Sequence, residues 1–222
     1  MSLERKLAEI QVLVDDFFSY ASEEVMNNSP AFTYLWGVES EAEKIVDSCS
    51  KINFLFGEGY ITRASHTIGE FAVSAKNIAD NLNKLLQLLY SEDIFNFSRE
   101  IRVCSLDHLM RVPITQSGRD LRRILSETHD HSKASVLKQV RDAKSHGLAH
   151  TLLINQPKEK RVLGRKRKFP SYYLNIGEEW EKNIEATKWV CETADKYLDL
   201  ARICLKTIVD EDKENFSPHS PN

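Results

Sequence analysis

Cysteine is scarce in this sequence and is never clustered. The four cysteines lie at positions 49, 104, 191 and 204, without any Cys-x-x-Cys pair. Disulfide frameworks and zinc ribbons both need cysteines at short, regular spacings. We therefore expect buried, reduced thiols, with no metal site and no cofactor held by them.

Long apolar runs are also missing. A helix that spans a bilayer needs about 20 consecutive apolar residues, and no stretch of the chain approaches that length. The segment from Met1 to Lys6 is charged from its start and lacks the apolar block of a signal peptide. The sequence predicts a cytoplasmic protein without a membrane partner.

Neither sign of charge dominates, and no phosphate-binding loop is present in the sequence. The formal net charge is −3, so no overall field attracts nucleic acid or anionic lipid. Gly57-Glu58-Gly59 lacks the Lys-Ser/Thr pair that a phosphate-binding loop requires. Any binding of nucleic acid must therefore come from a local patch.

The sequence does contain amphipathic helices. Apolar residues three or four positions apart predict long helices over about 3–25, 38–56, 66–90 and 178–209, with shorter ones at 91–110, 119–127 and 132–149. Ser65 is the expected N-cap of the third helix, and Gly57 and Gly59 are expected to end the second. The pattern predicts an all-α helical bundle, with one domain over residues 1–210 and a disordered tail over 211–222.

Residues 155–177 differ from this helical pattern. They form an expected basic loop or small hairpin insertion around Gly164, with Val162-Leu163 paired to Tyr172-Tyr173-Leu174. Their basic run would contact RNA phosphates, or else be a solvated loop tip. Tyr172 and Tyr173 would stack on bases, or else be half-buried. The run consists of Arg161, Arg165, Lys166, Arg167 and Lys168.

A second group of polar residues lies on the predicted helix 132–149. Its core-facing stripe is expected to be Val136, Val140, Ala143 and Gly147. On the other side, Asp142 is four residues before His146, so its carboxylate would orient the imidazole. Arg141 can hold a phosphate, and a positioned histidine can transfer protons near neutral pH. These are the groups that metal-free cleavage of RNA by its own 2′-hydroxyl requires.

The segment Arg141-Asp142-x-x-x-His146-Gly147 resembles the signature of the HEPN superfamily (higher eukaryotes and prokaryotes nucleotide-binding). The resemblance implies a homodimeric helical bundle in which Arg and His of two protomers form one composite cleft. It further implies a metal-independent endoribonuclease of single-stranded RNA, or an inactive RNA-binding relative, with a regulatory protein partner and a role in defence. A family subset paired with nucleotidyltransferases has a Tyr shortly after the His, and Gly147-Leu148-Ala149-His150 lacks it.

Three alternatives accompany this interpretation. His146 and His150 have the spacing of a zinc helix, but Gly147 replaces the catalytic Glu of that motif. His129 and His131 could add ligands, although their position between two helices favours a polar turn. The chain could instead be a non-catalytic helical interaction module, in which the polar face of the motif contacts a protein.

Overall fold

Helices account for most of the structure, a computed structural model that describes residues 1–20, 31–90, 116–129, 132, 135–149, 152–155, 158–162, 165–176 and 184–216. Within these ranges the all-α architecture predicted from the sequence is confirmed. Six helices are described: α1 (Leu3–Tyr20), α2 (Ala31–Gly57), α3 (Ile61–Tyr90), α4 (Gln116–Thr128), α5 (Val136–Ser145) and α6 (Ala186–Phe216). None of them is long and apolar enough to cross a membrane.

The starts of α2 and α3 differ from the predicted ones. Helix α2 begins at Ala31, well before the predicted start at residue 38, because Phe32 and Leu35 continue its buried apolar stripe. Helix α3 begins at Ile61, so Ser65 lies inside the helix and the N-cap prediction is wrong. Ser65 is 1% exposed, and packing of this first turn extends the helix beyond the residue that local preference favours as a cap.

The later helices also depart from their predicted bounds. Helix α5 ends at Ser145 rather than near residue 149, and α6 begins at Ala186 rather than near 178. Ile184 lies outside α6, where its carbonyl accepts a hydrogen bond of 2.9 Å from the Leu174 N–H. Helix α6 continues to Phe216, past the predicted start of the tail at 211, through polar helix-forming residues without Gly or Pro. The predicted helix at 91–110, Trp180 and residues 217–222 lie outside the described residues.

The insertion before α6 contains two antiparallel pairs of strands. Strand β1 (Leu153–Asn155) pairs with β4 (Tyr172–Leu174), and β2 (Lys158–Val162) pairs with β3 (Arg165–Phe169). Both pairings share one register, since Asn155 opposes Tyr172 and Lys158 opposes Phe169. The sequence has a proline in each intervening gap, at 157 and 170, and proline cannot donate a ladder hydrogen bond.

The strands of the predicted hairpin therefore exist, but its predicted pairing is wrong. Val162 opposes Arg165, whereas Tyr172–Leu174 oppose β1 at the base of the hairpin. The reason is that, in an antiparallel pairing with Val162 opposite Arg165, each step along one strand is matched by one step along the other, so residues 172–174 oppose positions well before Val162. The tyrosines are too far along the chain from Gly164 to reach Val162.

Contacts group the chain into two compact units. The first comprises Met1–Glu43, Ala75–Asp130 and Asp195–Asn222, and the second comprises Lys44–Ser74 and His131–Ala194. The core of the first unit includes Ile10, Val14, Leu35, Leu82, Leu125 and Leu198. The core of the second unit includes Ile45, Ile52, Ile68, Phe71, Val140 and Val190. The single domain predicted for residues 1–210 stays a prediction.

Candidate functional site

Helix α5 carries the motif, and its packing against α3 decides which side chains face outward. Val140 is fully buried, and a Cβ atom added to Gly69 of α3 would lie only 2.8 Å from the Cβ of Lys144. The Lys144 ammonium donates to Glu70 Oε1 at 3.0 Å. Because the Val140–Lys144 side of α5 is taken up by this contact, Arg141 is left half-buried and His146 exposed.

The end of α5 explains the glycine of the motif. His146 is the C-cap residue, and Gly147 follows with φ of +72°, in the left-handed region. The Leu148 N–H donates to the Ala143 carbonyl at 2.8 Å, and the Gly147 N–H donates to the Lys144 carbonyl at 3.2 Å. This pair of bonds is a Schellman motif, in which glycine is favoured because it lacks a Cβ. The predicted place of Gly147 on the core stripe is wrong, since Gly147 is exposed beyond the helix end.

Asp142 is paired with Arg141 instead of His146. Asp142 Oδ1 accepts hydrogen bonds from Arg141 Nε at 3.0 Å and from Arg141 Nη2 at 2.6 Å. Among the described residues, no hydrogen bond joins the side chains of Asp142 and His146; only the His146 N–H donates to the Asp142 carbonyl, at 2.9 Å. The predicted orienting role of Asp142 is therefore not realised in this geometry, because the carboxylate accepts its hydrogen bonds from Arg141.

The Arg141–Asp142 pair leaves each partner open to solvent. The side chains are 25% and 40% exposed, and ion pairs at such positions contribute at most about 1 kcal/mol. A phosphate, which carries negative charge and several acceptor oxygens, can compete with the carboxylate for the guanidinium. Arg141 is thus a partly exposed guanidinium whose charge Asp142 partly neutralises.

The hairpin gathers more positive charge than the basic run alone. Residues 158–169 contain seven Lys or Arg and one Glu, a net charge of +6, whereas the whole chain carries −3. The register places Lys160 opposite Arg167 and Arg161 opposite Lys166. Lys158 and Lys160 were not identified from the sequence, since only the β2–β3 pairing brings them level with the basic run. The signal that could have found them was the presence of basic residues on both sides of Gly164.

The tyrosines after the hairpin tip are structural. Tyr172 and Tyr173 are 9% and 7% exposed, so of the two alternatives for these rings the structure agrees with burial and not with stacking on bases. The Tyr172 ring instead stacks on Phe56, with ring centroids 4.6 Å apart. This stacking joins the base of the hairpin to the end of α2, and the basic strands extend from that anchored base.

The histidines considered as metal ligands have other surroundings or lie outside the described residues. His129 is buried, and its Nδ1 is hydrogen-bonded to the hydroxyl of Tyr197. It is therefore part of the packing of the first unit and not of a solvated turn. His131 and His150 lie outside the described residues. Within the described part of the chain, no three His, Cys, Asp or Glu side chains are grouped so that they could hold a metal.

Comparison with known proteins finds no matching family model, curated protein or solved structure. The resemblance to the HEPN superfamily therefore depends on the four motif residues Arg141, Asp142, His146 and Gly147. Of these, Gly147 is explained by the helix end alone, which leaves Arg141 and His146 as the informative pair.

Proposed function

We propose that this protein binds single-stranded RNA through the hairpin β2–β3, and that Arg141 and His146 form a HEPN-type site for the bound strand. The observation that carries the proposal is the register of the hairpin. Two consecutive cross-strand pairs, Lys160–Arg167 and Arg161–Lys166, join like charges. Like charges directly opposite each other destabilise a sheet, and binding of a polyanion relieves that repulsion.

The site on α5 is incomplete in a single chain. The Arg141 guanidinium donates to Asp142. The His146 ring is exposed, and among the described residues no side chain is hydrogen-bonded to it. A second protomer in a C2 dimer would supply another Arg141–His146 pair to the same cleft. In that arrangement Arg141 stabilises the phosphate at which the 2′-hydroxyl attacks, and His146 transfers the proton.

The RNA-binding proposal is tested by removing the charge of the hairpin tip. Changing Arg165, Lys166, Arg167 and Lys168 together to Gln should weaken binding to a single-stranded 20-nucleotide RNA, measured by fluorescence anisotropy. If all four contact phosphates, the slope of log affinity against log salt should fall by about 3, at about 0.7 per contact. The control changes four exposed cations elsewhere to Gln, with the same change in net charge: Lys51, Arg123, Lys188 and Lys196. An equal loss in both variants would show non-specific attraction and contradict the proposal.

The chemistry is tested separately on the same RNA. Cleavage should proceed in EDTA and be lost in Arg141→Ala and in His146→Ala, by about 10²–10⁴-fold for the proton-transfer group. Ser145→Ala, at an exposed neighbouring position, should retain activity. Weak activity returning when the two inactive variants are mixed would support a composite site. If RNA binds the hairpin but is never cleaved, the protein is an inactive, RNA-binding relative of these ribonucleases. A requirement for added Mg²⁺ would contradict the mechanism.

A further inference from the structure

Helices α1 and α2 lie antiparallel, and pairs of side chains connect them at two places. Gln11 Nε2 donates to Glu43 Oε1 at 3.0 Å at one end. At the other end, the rings of Phe18 and Trp36 stack with centroids 5.2 Å apart. Between these pairs, Asp15 lies close enough to Glu39 to repel it electrostatically. One edge of the helix pair therefore carries aromatic rings beside carboxylates.

The aromatic part of this edge is a supported platform. The Phe18 ring lies between Phe32 and Trp36, with centroid distances of 4.9 Å and 5.2 Å and interplanar angles of 30° and 29°. Phe32 is buried, whereas Trp36 at the outer end is 58% exposed. Tryptophan is enriched at protein interfaces because burying its large ring contributes much of the binding energy. Here the indole is held in place before any partner arrives, which lowers the entropic cost of binding.

The acidic part of the edge lacks a counter-charge. Glu39 is half-buried, and burial raises the pKa of its carboxyl above the ordinary value, with a further increase from the negative charges of Glu43 and Asp15. In the part of the chain that the structure describes, no Lys or Arg forms an ion pair with any of these three carboxylates. Three carboxylates without a cation therefore lie next to the exposed indole.

We propose that this acidic–aromatic face, formed by Asp15, Phe18, Trp36, Glu39 and Glu43, binds an arginine-rich segment of a partner protein. A guanidinium can stack on an indole and donate two parallel hydrogen bonds to a carboxylate. Arginine therefore satisfies both halves of the face at once. RNA and anionic lipid are repelled by the same carboxylates, and an apolar partner would leave Glu39 uncompensated. The proposal does not depend on RNA binding by the hairpin.

The test titrates the full chain with an octa-arginine peptide at low salt and measures affinity by calorimetry. Trp36→Ala should weaken binding by about 2- to 30-fold, the range expected for loss of a cation–π contact, and Trp36→Phe should weaken it less. Glu39→Gln should also weaken binding. The matched control, Glu4→Gln, removes one exposed carboxylate of α1 outside the face and should leave affinity unchanged. Octa-lysine should bind more weakly than octa-arginine.

Several results would overturn the proposal. An equal loss in Glu4→Gln and Glu39→Gln would mean that the peptide responds only to net charge. If Trp36→Ala bound octa-arginine with unchanged affinity, or if octa-lysine bound as tightly as octa-arginine, the indole would not contribute to binding. Circular dichroism checks that each variant is folded. If Trp36→Ala is not folded, Trp36→Phe and Glu39→Gln decide, and unchanged affinity in both would overturn the proposal.

Discussion

Replacing Lys6 by Met tests how the first unit is held together. Lys6 lies on α1 and is 3% exposed, and its ammonium donates to Asp195 Oδ1 at 2.5 Å and to Asp199 Oδ2 at 2.6 Å on α6. Methionine has a similar length but no charge, so the change removes both ion pairs and keeps most of the packing of the side-chain stem.

The expected cost follows from the burial of each partner. Breaking a fully buried ion pair costs about 3–5 kcal/mol, because an uncompensated charge stays in the interior. Here the charge that remains is on Asp195 and Asp199, whose side chains are 54% and 35% exposed and thus hydrated. Asp199 also keeps Arg202, at 3.3 Å. We therefore expect Lys6→Met to lower the free energy of unfolding by about 1–3 kcal/mol.

The pH dependence of this difference has a definite sign. Burial lowers the pKa of Lys6, but the hydrogen bonds and charges of Asp195 and Asp199 outweigh it, so the pKa lies above 10.5. Burial raises the pKa of Asp199, and the bonds and charges of Lys6 and Arg202 outweigh it, so the pKa lies below 3.8. The stabilisation from Lys6 is complete below pH 10.5 and is lost at higher pH. The stabilisation from Asp199 is complete above pH 3.8 and is lost as the pH falls through the lowered pKa.

Urea unfolding between pH 2.5 and 9 measures the effect. The difference between Lys6→Met and the natural sequence should be constant from pH 5 to 9 and shrink below pH 3.8. The matched control is Lys188→Met, which removes an exposed i,i+4 pair with Glu192 whose side chains are 70% and 67% exposed and should cost under about 0.5 kcal/mol. A cost for Lys6→Met no larger than this control, or one independent of pH down to 2.5, would refute the reasoning.

Two further predictions concern the helix end and the thiols. Gly147→Ala should lower the free energy of unfolding by about 1–2 kcal/mol, because Ala is strained at φ of +72° even though nothing lies within 4 Å of its Cβ. Gly147→Asn should cost less in urea unfolding, because Asn tolerates this backbone conformation better. Equal losses in the two variants would contradict this reasoning. Burial raises the pKa of the Cys204 thiol to about 12, so iodoacetamide at pH 8 should modify the exposed Cys191 long before Cys204. Mass spectrometry of the folded chain would contradict this expectation if both were labelled at one rate.

The candidate site could be predicted only in part from the sequence. Arg141 and His146 could be chosen as candidates because catalytic chemistry depends on the type of residue and on its approximate spacing along the chain. The partner of Asp142 could not be predicted, because Arg141 and His146 are both close to it in the sequence and only the side-chain geometry shows that its carboxylate accepts from Arg141. The place of Ser65 inside α3 was missed, since the preference of a residue for the N-cap does not include the packing of the helix around it.

The helices and the hairpin were determined largely by the sequence itself. Apolar residues at three- and four-residue steps select a helix because the period is a local property of the chain, and Gly164 between basic segments indicated the reversal that β2 and β3 make. Tertiary structure decided the contacts between distant positions. Lys6 meets Asp195 across 189 residues, and Trp36 of α2 stacks on Phe18 of α1. No periodicity encodes such pairs, because they arise only when packed helices bring separate turns to the same place.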